Sequence, residues 1–438
     1  MKRQIQKSIR AQRFLSLVNS KIAREGLWVS IGQFSSVIGT LFGLRILTEL
    51  LSPTLFGEFT LGLTIAFFST QIIFGPKANG IVRYYAIAQK EGKMQSYVHS
   101  INEILYRAAA LTAILGSIVV CVLVAMQQHK WAVIVASATA VAICSGYSSV
   151  YSVLLNASRR RSLVAAHQGT EPWVKLACAF GATLLLGPHA ASPLIGYAIG
   201  HAISITYLQR ATRRLHSECL SPTEGERNWT MDIKAFSVPF MMFAIFTWAN
   251  ISSDRWALQH FAGANEVGLY AAAFMLGYSP MIIVSSMLVQ LVTPIVYQTI
   301  GISSCSSSVL VAKRQCDVLS NVILALTSIG FFVTYLLHQS IFKIFIAEQY
   351  QSASYLIPWM ILSGGIFAAG EAMAIFLNTT MKTKLQIAPK IVTALVGIGL
   401  NLYAAYLFGA RGVTFSLLLF SFLYYIWIKI IVSKLMQK

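Results

Sequence analysis

At 438 residues the chain has the length of two or three soluble domains, yet 56% of it is hydrophobic and only 11% is charged, against roughly 25% charged in ordinary soluble domains. So few charges cannot cover a soluble surface, which makes this a polytopic, all-α membrane protein and nearly excludes an extramembrane enzyme domain. Lys and Arg number 34 against 15 Asp and Glu, a net charge of +19; where these charges fall along the chain explains the excess without a nucleic-acid partner.

A membrane crossing needs about 20 mostly apolar residues, and twelve such runs are present. Residues 1–25 come first as a basic segment on the inner membrane surface. It is not a cleaved signal, because its first apolar patch, Phe14–Val18, is too short and no small-residue cleavage site follows the first span. Six spans follow near 26–50, 57–76, 101–126, 132–155, 163–187 and 191–209, forming an N-lobe over 26–209. A polar linker at 210–234 carries Ser221-Pro222 and Gly225. Six more spans, near 235–259, 267–298, 317–339, 353–377, 385–409 and 411–432, form a C-lobe over 235–438 that ends in a short tail. The connections alternate: 25 Lys/Arg fall on one side, three on the other (Lys130, Lys343, Arg411) and six within spans. Positive loops stay inside, so both termini are expected in the cytoplasm, where the basic loops also meet anionic lipid. Trp28, Trp131 and Trp427 sit near span ends, where amphipathic rings prefer to lie. The six cysteines (Cys121, Cys144, Cys178, Cys219, Cys305, Cys316) avoid the outward loops and show no CxxC spacing. They are expected to pack as small apolar groups, without disulfides or zinc.

The halves resemble each other around their first outward turn. Leu44-Arg45, Ser52-Pro53 and Gly57-Glu58-Phe59 in one match Asp254-Arg255, Ala262-Gly263 and Gly268-Leu269-Tyr270 in the other. Parallel six-helix repeats place substrate between the halves. In Phe236–Tyr297 the residues Pro239, Asn250, Ser253-Asp254-Arg255, Gly263, Val267-Gly268-Leu269-Tyr270-Ala271-Ala272, Gln290 and Pro294 form a degenerate motif. Leu50-Leu51-Ser52-Pro53, Phe56-Gly57 and Ile81-Val82-Arg83-Tyr84-Tyr85 echo it in the first half. This pattern, covering most of residues 25–300, resembles the polysaccharide transporter branch of the MOP flippase superfamily, the Wzx-type O-antigen flippases. The resemblance implies twelve helices in two pseudo-symmetric six-helix lobes around a central cavity. It further implies a cationic lumen and a cargo of undecaprenyl-pyrophosphate-linked oligosaccharide in a bacterial inner membrane. The partners expected with it are membrane lipids, a polysaccharide polymerase and a chain-length regulator.

Ionisable groups inside spans are costly and mark function by default. Arg45 and Glu49, four apart near the outer end of the first span, share a face and can pair as a gate; snorkelling to the interface is the plainer role for Arg45. Gln33, Ser36 and Thr40 form a polar stripe on another side of that helix. In the fifth span Glu171 precedes Lys175 by one turn around Pro172. Either the helix runs through the proline, placing both charges at depth, or it starts there and leaves them at the interface. Thr247, Asn250 and Asp254 line one face of the seventh span, with Arg255 turned to an adjacent one. Gly364, Glu371, Asn378 and Lys382 line one face of the tenth, where Glu371 has no cation of its own helix near enough to pair and becomes the first candidate for a proton site, unless another helix supplies a cation. A pyrophosphate entering a low-dielectric cavity needs Lys or Arg. Lys175, Arg255, Arg107, Arg45 and Arg83 are therefore the substrate-binding candidates. Glu49, Glu171, Asp254 and Glu371 are those for gating or ion coupling, and Gln33, Thr40, Asn250 and Asn378 those for polar lumen.

No GxxxxGK[ST], HExxH or GxSxG occurs, so no cofactor, metal or built-in ATPase is expected. A flippase working by alternating access is the preferred reading, and a cation-coupled multidrug exporter on the same fold the alternative. A membrane glycosyltransferase would need acids on a sizeable outward loop, and the longest, His338–Ser354, offers only Glu348. Related peptidoglycan-precursor flippases look two helices longer than the twelve found here.

Overall fold

The computed structural model describes residues 21–216, 228–302 and 306–436, and among these all regular structure is helical. Residues 1–20 of the basic N-terminal segment, the centre of the linker, Cys219 and Cys305 lie outside the described residues. The N-lobe comprises α1 (Lys21–Leu50), α2 (Pro53–Ser69) continuing through a π turn (Thr70–Phe74) into α3 (Gly75–Lys90), α4 (Met94–Ala125), α5 (His129–Ala157), α6 (Arg161–Leu186) and α7 (Ala191–His216). The C-lobe comprises α8 (Trp229–Phe261), α9 (Gly263–Leu276), α10 (Tyr278–Ile302), α11 (Ser306–Phe345), α12 (Ile357–Thr379) and α13 (Ile387–Met436), with short 3-10 turns at Glu348–Leu356 and Thr383–Gln386. Each of the twelve sequence-predicted spans falls on helix. The second lies on α2–α3, the eighth on α9–α10, and the last two on the halves of α13.

Local chemistry sets the breaks. Ser52 caps α2 by accepting from the Leu55 N–H, and Pro53 follows at the first helical position, where its missing N–H costs nothing. Gly409 divides α13 at φ 56°, ψ −138°, a region essentially closed to other residues. Eight helical stretches are long and apolar enough to cross a membrane, the last of them spanning this break. α6, α7 and α8 fall outside that set. α6 and α7 carry Glu171, Lys175, His167 and His201, α8 carries Asp254 and Arg255, and the three pack against α1, α5, α9 and α13.

One end of the bundle carries the sparse loops with Lys130, Lys343 and Arg411 and is termed the charge-poor face. The other, with the loops at 91–93, 158–160 and 380–382, is the basic face. The largest apolar core joins the two lobes near the charge-poor face: Leu44, Leu47, Leu51, Phe56 and Phe59 of the N-lobe pack with Leu258, Val267, Tyr270, Phe342 and Tyr350. A second core lies within the N-lobe and takes in Trp229 and Ile233 from the start of α8. A third belongs to the C-lobe alone.

The repeat glycines meet each other. A Cβ on Gly268 would lie 1.8 Å from the Pro53 carbonyl oxygen, and one on Gly57 would lie 2.0 Å from that of Ala264. Thus α2 and α9, equivalent elements of the two halves, cross backbone to backbone, a contact only glycine allows. Around this crossing Gln349 Nε2 donates to the carbonyls of Thr48 (2.8 Å) and Leu51 (3.0 Å), and Tyr350 OH donates to Leu51 O at 2.8 Å. Trp248 and Trp256 of α8 donate to Thr64 of α2 at 2.9 and 3.0 Å.

Candidate functional site

A cavity of about 640 Å³ opens inside the C-lobe. α8 contributes Thr247, Asn250 and Asp254, so the whole predicted stripe faces it; α12 contributes Glu371, and α13 contributes Lys390, Asn401 and Tyr424. Phe246, Phe274, Tyr278, Phe367 and Phe420 add aromatic rings to a wall otherwise made mainly of small and aliphatic side chains.

The three charged side chains that face this cavity, Asp254, Glu371 and Lys390, are partnered, as isolated ions there would cost several kcal/mol. Lys390 Nζ lies 3.1 Å from Glu371 Oε1 and donates to Oε2 at 3.3 Å, while the Tyr424 hydroxyl donates to Oε1. Glu371 thus has its cation from another helix, 19 residues away. Asp254, 4% exposed, accepts from Tyr270 OH at 2.8 Å and from the Arg255 N–H at 2.7 Å. The Arg255 guanidinium approaches Asp254 only to 4.0 Å and instead lies over the Phe274 ring, 4.8 Å from its centroid. Asn401 Nδ2 donates to Ser253 Oγ at 3.0 Å.

The N-lobe holds a second cluster. α6 runs unbroken from Arg161 with Pro172 inside it, so Glu171 and Lys175 both lie within the helix. Lys175 Nζ is 3.5 Å from Glu171 Oε1 and sits over the Tyr197 ring at 5.7 Å. His201 Nδ1 is 3.0 Å from the same oxygen, and His167 Nε2 is 3.6 Å from Oε2. Ser148 of α5 lies 3.3 Å from His167 Nε2.

The remaining predicted residues lie elsewhere. Arg45 pairs with Glu49 and also donates to the carbonyls of Ile346 and, at 3.0 Å, Lys343, tying α1 to the end of α11 across the lobe seam. Arg107 pairs with Glu103 on an exposed part of α4, and Glu103 in turn accepts from Thr230 of α8 at 3.0 Å. Arg83 is exposed on α3. Gln33 donates to Gln168 at 3.1 Å in the α1–α6 contact, while Thr40 donates to the Ser36 carbonyl of its own helix. Asn378 accepts from Gln386 at 2.7 Å near the basic face. Sequence reading passed over Lys390, Tyr424, Asn401, His167 and His201. It also passed over Glu58, buried at the charge-poor end of α2 and paired with Lys130. His167 had a signal, because 167, 171 and 175 follow four-residue helical spacing. The four described cysteines are free thiols.

This architecture can be set beside known proteins. The structure is similar to that of the lipid II flippase MurJ in its inward closed conformation, with TM-score 0.71, 13% identity, and 93% of this chain and 87% of that one covered. It is also similar to an inward-facing multidrug resistance MATE family transporter of the MOP superfamily (TM-score 0.58, 13% identity, 92% and 96% covered). A third likeness is to a point mutant of the Vibrio cholerae MATE transporter VcmN (TM-score 0.59, 14% identity, 96% and 98% covered). At such identities these likenesses show the fold. No curated protein matches the chain by sequence. The profile of the polysaccharide biosynthesis protein family does match, over residues 22–300, and the chain, a multi-pass membrane protein with the fold of the MOP superfamily, belongs to that family.

Proposed function

We propose that this flippase carries undecaprenyl-pyrophosphate-linked oligosaccharide repeat units from the inner to the outer leaflet of the bacterial inner membrane, for O-antigen, capsule or exopolysaccharide synthesis. The observation that carries the reading is a polysaccharide biosynthesis family match on a chain that keeps ionisable side chains inside its membrane-spanning helices, several of them around a cavity. Such charges are costly in a helix bundle without a polar cargo or coupling ion to serve. The basic face is cytoplasmic, and the lobes 26–209 and 235–438 rock about the seam around Gly57 and Gly268. Lys175, Arg255, Arg107, Arg45 and Arg83 supply cationic contacts to the pyrophosphate. Glu49, Glu171, Asp254 and Glu371 serve gating and ion coupling, and Gln33, Thr40, Asn250 and Asn378 meet polar parts of the cargo. A polymerase and a chain-length regulator act on the delivered units.

A deletion strain tests this. Complete repeat units accumulating on undecaprenyl pyrophosphate at the inner leaflet, with surface glycan lost, are the expected result. The likeness to MATE transporters and the two carboxylates facing the C-lobe cavity favour export of cationic drugs as the second reading. Unchanged surface glycan with heightened sensitivity to such drugs would replace the first reading with the second.

A further inference from the structure

The cluster in the N-lobe contains more titratable groups than an ion pair requires. Lys175 alone neutralises Glu171, yet His167 and His201 also converge on that carboxylate, from one turn earlier on α6 and from α7. Their side chains are 4% and 10% exposed. The backbone holds them there: a Cβ on Gly200, next to His201, would come within 2.9 Å of Lys175 Cα, so α6 and α7 touch at this level. Tyr197 of α7 lies under Lys175, and the groups that other helices bring to this level among the described residues are neutral. They are Ser148 of α5 and, one turn away, Gln33 and Ser35 of α1.

We propose that His167, Glu171 and His201 form a proton-binding site that is loaded from one side of the membrane and emptied to the other during transport. This rests on the flippase reading and names its coupling ion. With both imidazoles neutral, the charges of Glu171 and Lys175 cancel. A proton from water adds to an imidazole nitrogen lone pair and is held by the facing carboxylate, leaving the cluster at +1, and a second proton brings it to +2. Return of the proton to water reverses the step, and no other bond changes. Imidazole is the side chain whose ordinary titration falls between pH 5 and 8. Here that titration changes net charge at a point where α6 already lacks one backbone hydrogen bond at Pro172. A lobe carrying extra charge favours the arrangement that wets the cluster, and a neutral cluster favours the closed one.

Two measurements on the full-length protein test this. Histidine-selective ¹⁵N NMR of the wild type in detergent should show at least one of the two imidazoles titrating between pH 5 and 8. Glu171→Gln should move that titration to lower pH, because an imidazolium loses its counter-charge. In proteoliposomes, a pH gradient should speed wild-type flipping of an undecaprenyl-pyrophosphate disaccharide. His167→Gln and His201→Gln, which keep a hydrogen-bonding amide, should each weaken that response. Imidazoles that hold one protonation state across the range overturn the proposal whether or not any variant folds. Wild-type-like gradient dependence in both glutamine variants overturns it too. Wild-type vesicles that move no lipid-linked sugar at any pH refute the flippase reading instead, while leaving the titration result to stand on its own.

Discussion

Alanine at the glycine crossing is the sharpest mechanical test of the lobe seam. A Cβ at position 268 would lie 1.8 Å from a backbone carbonyl oxygen, and one at 57 would lie 2.0 Å from another. Ordinary carbon–oxygen contact is about 3.4 Å, so α2 and α9 must part by roughly 1.5 Å in Gly268→Ala. No side-chain rotation relieves this, because both obstacles are backbone. Overpacking of this kind costs about 1–3 kcal/mol. At 1.4 kcal/mol per factor of ten, that raises the population with the charge-poor face parted by about 5- to 150-fold. Leu51, fully buried in the seam, reports it: Leu51→Cys in a background lacking the native cysteines gives a baseline rate of maleimide labelling in detergent. Gly57→Ala and Gly268→Ala should each raise that rate by the stated factor. Unchanged labelling in both, at normal yield, would refute the view that the crossing holds this face shut.

Removal of one partner from the Glu371–Lys390 pair should lower the thermal midpoint in detergent. Lys390→Ala combined with Glu371→Gln should lower it by less than the two single effects added, a coupling of about 0.5–3 kcal/mol; strict additivity would show that the pair does not exist. Gly409→Ala forces a side chain into a glycine-only conformation and should cost about 1–3 kcal/mol, read as a lowered unfolding midpoint. Lys175→Ala and Arg255→Ala should each impair export and accumulate lipid-linked intermediates while the protein stays in the membrane at normal amounts. Wild-type export in both variants would remove those cations from the cargo path.

The spans were legible because length and apolarity suffice to read them, and α6 and α8 were legible despite their charges because turn signals bounded them. The stripe of Thr247, Asn250 and Asp254 was readable from helical spacing and does face the cavity. Spacing within one helix says nothing about register between helices, so the Lys390–Glu371 pair was out of reach: 19 residues and two short turns separate its members. The same limit hid His201, which reaches Glu171 only because Gly200 lets α7 close on α6. His167 fails this excuse, since it stands four residues before Glu171. Likewise the repeat made Gly57 and Gly268 equivalent, but only the assembled lobes show that these glycines lie against each other.

How the interior charges are paired bears on how the lobes move. Lys390–Glu371 and Arg255–Asp254 close within the C-lobe, and Lys175–Glu171 closes within the N-lobe. Each lobe can therefore turn as a body without separating these ions in a low-dielectric medium, a step that would cost several kcal/mol per ion. The polar ties across the charge-poor seam are of another kind. Arg45 donates to two backbone carbonyls, Gln349 and Tyr350 donate to Thr48 and Leu51, and two tryptophans donate to Thr64. Hydrogen bonds between neutral partners contribute about 0.5–1.5 kcal/mol each, those from the Arg45 guanidinium about 1.5–3, and all of them can be exchanged for water when the seam opens. Opening this face thus trades a few modest bonds and apolar contact for solvation, which keeps open and closed arrangements within the few kcal/mol that alternating access requires. In such a balance a single added proton or a single added methyl group is enough to tip the population.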